Sequence, residues 1–352
     1  MHLALYCLLV LISFYLIAKV SDRYFIPALD SISGRLNMRS DVAGATFMAI
    51  GSSAPELFIA LIAVFHPGGH EEIGIGTIVG SALFNVLAII GAVALVRKAI
   101  VAWQPILRDI FFYLISIALL ALVFYNNKIS LWEALIMLVV YVVYIFAVIH
   151  WSKIFPYKDD AVELKLEKAD VEIVKRYRLF RLLIKPLDKL LDITFASSRF
   201  YLLNFIISVL WIALLSWGLV HSAIEVSLIL NVPEGIIALT VLAAGTSVPD
   251  LLASVLVAKK GRGGMAISNA LGSNIFDILL GLGIPWLIVI VLLKDSVEVS
   301  SQNIFVSVML LFASVLVVFM LLIYRRWKIG KPTGILLLAL YLAYLIWQAI
   351  SL

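Results

Sequence analysis

Ten long apolar stretches, divided by short polar ones, make up most of this chain. They run over residues 2–20, 41–65, 73–96, 108–126, 129–151, 200–222, 232–258, 265–293, 304–324 and 333–351. Each comes close to the roughly 20 apolar residues that an α-helix needs to cross a bilayer. The longest polar stretch, 152–199, divides five of them from five. The pattern predicts an all-α polytopic membrane protein with ten transmembrane helices: five in residues 1–151, a loop over 152–199, and five in 200–352. No basic segment precedes the first stretch and no small-residue cleavage site follows it, so it reads as a retained helix rather than a signal peptide.

Composition agrees with this pattern. Hydrophobic residues make up 63% of the 352, against roughly half in a soluble domain. The charges fix an orientation. Lys19, Arg23, Arg35, Arg39, Arg97, Lys98, Arg108, the loop 152–199, Lys259, Lys260, Arg262, Arg325, Arg326, Lys328 and Lys331 fall on one side, which holds 25 of the 27 basic residues. Only Lys128 and Lys294 fall on the other. Basic loops stay in the cytoplasm. Both termini are therefore expected outside, the 152–199 loop inside, and the chain in the cell's plasma membrane. The net charge of +5 is a topology signal and marks no nucleic-acid surface. Cys7 is the single cysteine, so no intrachain disulfide forms. His2, His66, His70, His150 and His221 sit near segment ends without metal-ligand spacing. Glu133, at the start of its stretch, reads as interfacial.

Two near-copies of one polar sequence interrupt the apolar pattern. Gly51-Ser52-Ser53-Ala54-Pro55-Glu56 matches Gly245-Thr246-Ser247-Val248-Pro249-Asp250, and Gly80-Ser81-Ala82-Leu83-Phe84-Asn85 matches Gly272-Ser273-Asn274-Ile275-Phe276-Asp277. Ala49 then pairs with Ala243, at a separation of 192–194 residues throughout. With five spans per half, the second copy enters from the opposite side. Inverted repeats with broken, polar segments at matching positions point to a secondary transporter's binding site.

Those segments supply oxygen chemistry. A proline lacks the N–H and crowds the carbonyl four residues back, so helices 2 and 7 are expected to break near Pro55 and Pro249 and free carbonyls around Ala49 and Ala243. Ser52/Glu56, Thr246/Asp250, Ser81/Asn85 and Ser273/Asp277 are spaced i,i+4 and share helix faces. Carboxylates, carbonyls, hydroxyls and an amide suit hard cations such as Na⁺, K⁺ and Ca²⁺ rather than zinc or copper. Carboxylates at membrane depth are expensive and rare. Glu56, Asp250 and Asp277 would repel one another unless cations or protons relieved them, and no intramembrane Lys or Arg is expected as an alternative partner. In the loop, residues 158–176 alternate acid and base. Residues 174–191 interleave basic and apolar positions, as a helix lying on anionic lipid or an ordinary connector would.

At these motifs the chain resembles the calcium/cation antiporter superfamily, and within it the potassium-dependent sodium/calcium exchangers. Asp41 through Ala49, Gly76 through Ser81, Gly245 through Lys260 and Gly272 through Leu279 carry the likeness. The resemblance implies a ten-helix antiporter with its site on helices 2, 3, 7 and 8. Glu56 and Asp250 would coordinate Ca²⁺ and help bind Na⁺. The hydroxyls of Ser52, Ser53, Ser81, Thr246, Ser247 and Ser273 and the carbonyls of Ala49 and Ala243 would line Na⁺ sites, with Asn85 and Asp277 flanking the centre. An aspartate at the position of Asp277 permits K⁺ transport. Helices 1 and 6 would slide against the core.

The expected function is exchange of Ca²⁺ for Na⁺, alone or with K⁺, by alternating access. A Ca²⁺/H⁺ exchanger is the alternative, and a cation channel a weaker one because the site is completed within one chain. No Walker A motif and no nucleophile–base pair occurs, so no nucleotide, enzyme activity or cofactor is expected.

Overall fold

A computed structural model describes residues 2–36, 49–126, 128–155, 178–259, 261, 263–293, 297–298 and 302–350. Residues 41–48 and 158–176 lie outside these, as do Arg39, Lys260, Arg262 and Lys294. The described chain is almost entirely helical: α1 His2–Val20, α2 Ile26–Arg35, α3 Ala49–Phe65, α4 Glu71–Leu83, α5 Ile90–Val96, α6 Trp103–Asn126, α7 Leu131–Ile154, α8 Arg178–Thr194, α9 Tyr201–Leu230, α10 Glu234–Ile237, α11 Ala243–Lys259, α12 Gly263–Phe276, α13 Gly283–Leu293, α14 Gln302–Tyr324 and α15 Lys331–Ile350. Wider π-helical turns at Ser21–Phe25, Phe84–Ile89, Ala238–Leu242 and Asp277–Leu282 join α1 to α2, α4 to α5, α10 to α11 and α12 to α13. Among the described residues, nine helices are long and apolar enough to cross a membrane, and a shorter apolar one covers Ile50–Phe65.

Four two-residue strands report the topology. β1 (Ala99–Ile100) pairs antiparallel with β4 (Lys328–Ile329), and β2 (Lys128–Ile129) with β3 (Val297–Glu298). The 24 residues of α6 separate β1 from β2. At 1.5 Å per residue the two sheets therefore sit at opposite ends of the bundle. One end carries β1–β4 and the bond from Arg97 to the Lys259 carbonyl (3.3 Å). The other carries β2–β3. Each sheet joins a hairpin of the first half to one of the second, as two oppositely inserted halves require.

Several boundaries differ from the sequence pattern. The first helix does not stop at residue 20; an apolar span runs over His2–Leu29, with Lys19, Asp22 and Arg23 inside it. Its charges are tolerated because Lys19 pairs with Asp188 and Arg23 with Asp192 (2.9 Å), both on α8. The Asp188 carboxylate also accepts from the Tyr15 hydroxyl at 2.7 Å, and Tyr24 stacks on Phe195. Arg108 is not a loop residue either. It is buried on α6, 2.7 Å from Asp109, whose carboxylate also accepts from Ser268 and Tyr144. A span therefore does hold a buried arginine, matched by its own acid. Glu133 completes a capping box with Ser130 at the start of α7.

The apolar interior falls into two clusters. One joins α1, α8 and α9 to residues of α3, α4, α10 and the turn before α11, with Ile17, Ile59, Leu191 and Leu219 among its buried members. The other holds most of the remaining helices around Ile78, Phe276 and Trp286. The amphipathic segment before α9 thus docks its apolar face, through Leu187 and Leu191, onto the first cluster.

Candidate cation site

The four polar helices meet between the two halves. Glycines permit the approach. A Cβ on Gly80 would strike the Leu239 carbonyl and Ala243, and one on Gly74 would come within 2.8 Å of the Ala60 Cα. Backbones this close bring the hydroxyls into pairs that respect the internal repeat. Ser53 Oγ lies 2.8 Å from Ser273 Oγ, and the repeat-related Ser81 Oγ lies 2.8 Å from Ser247 Oγ. Each bond joins one half of the chain to the other.

The acids gather at the same place. Glu56 and Asp277 are 2% and 1% exposed. The Ser53 and Ser273 hydroxyls lie beside the Asp277 carboxyl, and the Thr246 hydroxyl lies beside that of Glu56. Glu56 Oε2 and Asp277 Oδ1 nevertheless have no hydrogen-bond partner among the described residues, nor does the amide oxygen of Asn85. Three buried, unpartnered oxygens are costly to leave unsatisfied. Asp250 is half-buried and lines a cavity of about 20 Å³ with Ser52, Pro55, Thr246, Pro249 and, from the first helix, Ile17, Ala18, Ser21, Asp22 and Ile26. On the side of the cavity towards the N-terminus, the Phe14 ring lies on Gly245 so closely that no Cβ would fit.

The expected breaks are not at the prolines. α3 and α11 continue through Pro55 and Pro249, because one missing N–H per helix is tolerated where neighbours pack closely. The irregular backbone appears instead as π-turns. Those at Phe84–Ile89 and Asp277–Leu282 occupy repeat-related positions, one at Asn85 and the other at Asp277. The turn at Ala238–Leu242 leads directly into Ala243. The Ala243 carbonyl is not vacant, since it accepts from Thr246 at 3.3 Å. Ala49 opens α3 at the edge of the described chain.

Twelve residues were singled out from the sequence. Ser53, Glu56, Ser81, Asn85, Thr246, Ser247, Ser273 and Asp277 converge in the interior, and Ser52 and Asp250 line the adjoining cavity. Sequence reasoning missed Asn274. Fully buried, it accepts from Asn85 (2.8 Å) and donates to Tyr113 and to the Ala82 carbonyl. It also missed Ser21 and Asp22, whose signal was an acid inside an apolar run that does not end at residue 20.

The sequence pattern described as "Sodium/calcium exchanger protein" matches residues 6–150 and 200–350. The chain belongs to the sodium/calcium exchanger protein family. Among its relatives, sodium/potassium/calcium exchanger 5 of Homo sapiens is 31% identical over 414 residues, covering 96% of this chain and 81% of that protein. Sodium/potassium/calcium exchanger 1 of Gallus gallus is 29% identical, with 95% and 76% covered. Among solved structures, the sodium-calcium exchanger NCX_Mj superposes with a TM-score of 0.57 at 26% identity, covering 97% of both chains. The H⁺/Ca²⁺ exchanger CAX gives a TM-score of 0.73 at 14% identity, over 97% of this exchanger-family chain and 82% of CAX, and shares the fold.

Proposed function

We propose that this chain exchanges Ca²⁺ for Na⁺ across the plasma membrane by alternating access, with K⁺ carried alongside Ca²⁺. One observation carries the reading. Glu56, Asp277 and Asp250 share a site closed by hydroxyls from both halves, and no Lys or Arg pairs with them among the described residues. Elsewhere in the bundle a buried acid does have its cation, as Asp109 has Arg108. Mobile cations are the partners that oxygen ligands of this kind accept.

In this reading the twelve residues divide the work. Glu56 and Asp250 supply charge to Ca²⁺, or to the Na⁺ ions that replace it. The hydroxyls of Ser52, Ser53, Ser81, Thr246, Ser247 and Ser273, with the carbonyls of Ala49 and Ala243, replace water around Na⁺. Asn85 and Asp277 sit at matching positions, so the halves differ there by one charge; Asp277 is the K⁺ ligand. The helix of Glu56 supplies the tenth crossing. The first helix and α9 slide against the rest, exposing the site to one side at a time. The cavity's lining on the first helix runs from Ile17 to Ile26, past Phe14 towards the end that carries Lys19 and Arg23; in this reading the cavity opens there, that end is cytoplasmic, and both termini lie outside.

The test is ⁴⁵Ca²⁺ uptake into proteoliposomes with Na⁺, K⁺ and pH varied independently. Uptake driven by an outward Na⁺ gradient at clamped pH is expected. Uptake indifferent to Na⁺ but driven by a proton gradient would replace this function with Ca²⁺/H⁺ exchange.

A further inference from the structure

The cavity beside Asp250 contains two polar residues that the exchange site does not use. Ser21 and Asp22 lie on the π-turn of the first helix, Ser21–Phe25. The wider turn carries them into the lining of the cavity, opposite Ser52, Thr246 and Asp250. Their two settings differ. Ser21 is 6% exposed, and its hydroxyl has no hydrogen-bond partner among the described residues. Asp22 is exposed. The neighbouring Arg23 does not neutralise it, because that guanidinium turns to Asp192 on α8. An unsatisfied buried hydroxyl, an exposed carboxylate and the half-buried Asp250 therefore face one another across a water-sized space. A cleft lined by one sign of charge focuses the field and concentrates ions of opposite sign. Hard divalent cations accept such oxygens while keeping part of their water.

We propose that Ser21 and Asp22 form an outer cation station in the mouth of the cavity, which holds a partly hydrated Ca²⁺ before it passes to Asp250 and Glu56. The station rests on the reading of the central acids as the exchange site and adds a step to it. It also gives the first helix a direct role in ion capture. When that helix moves, the station moves with it, so the station serves the face on which the cavity opens and is withdrawn from the other.

The experiment compares ⁴⁵Ca²⁺ flux initiated from each face of oriented vesicles for the wild type, Asp22→Asn and Asp22→Glu. Removing one charge beside a divalent ion that keeps part of its water should raise the half-saturating Ca²⁺ concentration about fivefold on the face of Lys19. The opposite face should keep its value, and Asp22→Glu should restore the wild-type one. A second readout needs no flux. With Cys7→Ser removing the native thiol, Ser21→Cys should be alkylated from the Lys19 face and protected by Ca²⁺, with the protecting concentration raised by Asp22→Asn. Equal shifts on both faces, no shift on either, or alkylation indifferent to Ca²⁺ would overturn the station. A wild type that exchanges no Ca²⁺ would overturn the exchange reading itself, which separates the two failures.

Discussion

Glu56 is 2% exposed, and its Oε2 has no partner among the described residues, so its value to the protein lies in what it binds. A neutral amide of the same shape keeps the packing and loses the charge. Glu56→Gln and Asp250→Asn are expected to lower Ca²⁺ flux by about 100-fold or more, since a lost charged ligand is worth about 3 kcal/mol. Both should still insert and elute as folded protein, and flux at the wild-type level in both would remove these residues from the site. Asp277 tests the asymmetry between the halves. Asp277→Asn makes its position match Asn85, and the expected outcome is Na⁺-driven Ca²⁺ flux that no longer rises with added K⁺. An unchanged K⁺ response in the flux assay would leave the aspartate without that role. The sequence marked these acids through their rarity in apolar spans. It did not mark Asn274, because a single amide in a helix has no periodic signature, and its value comes from Asn85 and Tyr113 on other helices.

Between helices, approach distance decides the outcome. Gly80 faces the Leu239 carbonyl and Ala243, and both are backbone or backbone-fixed atoms that cannot rotate away. Gly80→Val should push α4 from the turn before α11 and separate Ser81 from Ser247. A loss of about 1–3 kcal/mol is expected from overpacking, read as a lower melting temperature in detergent together with lost Ca²⁺ binding. The contact between α8 and the first helix offers a graded test. Asp188 accepts from both Tyr15 and Lys19 in a part-buried setting, whereas the Arg23–Asp192 pair is about half exposed on both sides. Exposed pairs are worth at most about 1 kcal/mol. Asp188→Asn should therefore raise amide hydrogen exchange across residues 178–194 clearly more than Asp192→Asn does. The alternation of charged and apolar residues in this stretch suited a lipid-surface helix as well as a connector. The docking appears only when the partners Tyr15, Lys19 and Tyr24 are placed beside it.

At the scale of the whole molecule the internal duplication becomes geometry. Repeat-related hydroxyls bond across the halves, repeat-related π-turns fall at Asn85 and Asp277, and the two small sheets each join one hairpin from each half. Two apolar clusters make up the interior, and α3 and α4, which carry Ser53, Glu56 and Ser81, contribute buried residues to both. The hydroxyl pairs lie between α3, α4, α11 and α12, so the proposed movement of α1 and α9 leaves them bonded.

What the sequence by itself determined was set by bilayer physics. Long apolar runs form helices where no water satisfies the backbone, and carboxylates repeated within them mark a candidate site; the side given by the basic loops stays an expectation. Only the tertiary structure decided where the first helix ends, that Arg108 is buried beside Asp109, and that Pro55 and Pro249 bend no gap into their helices. Each of these depends on a neighbour far away in sequence. A charge inside an apolar span is affordable when Asp188 or Asp109 stands opposite it, and a helix passes through a proline when the packing around it is close. For the same reason Ser21 and Asp22 acquire meaning only when the π-turn sets them across a cavity from Asp250.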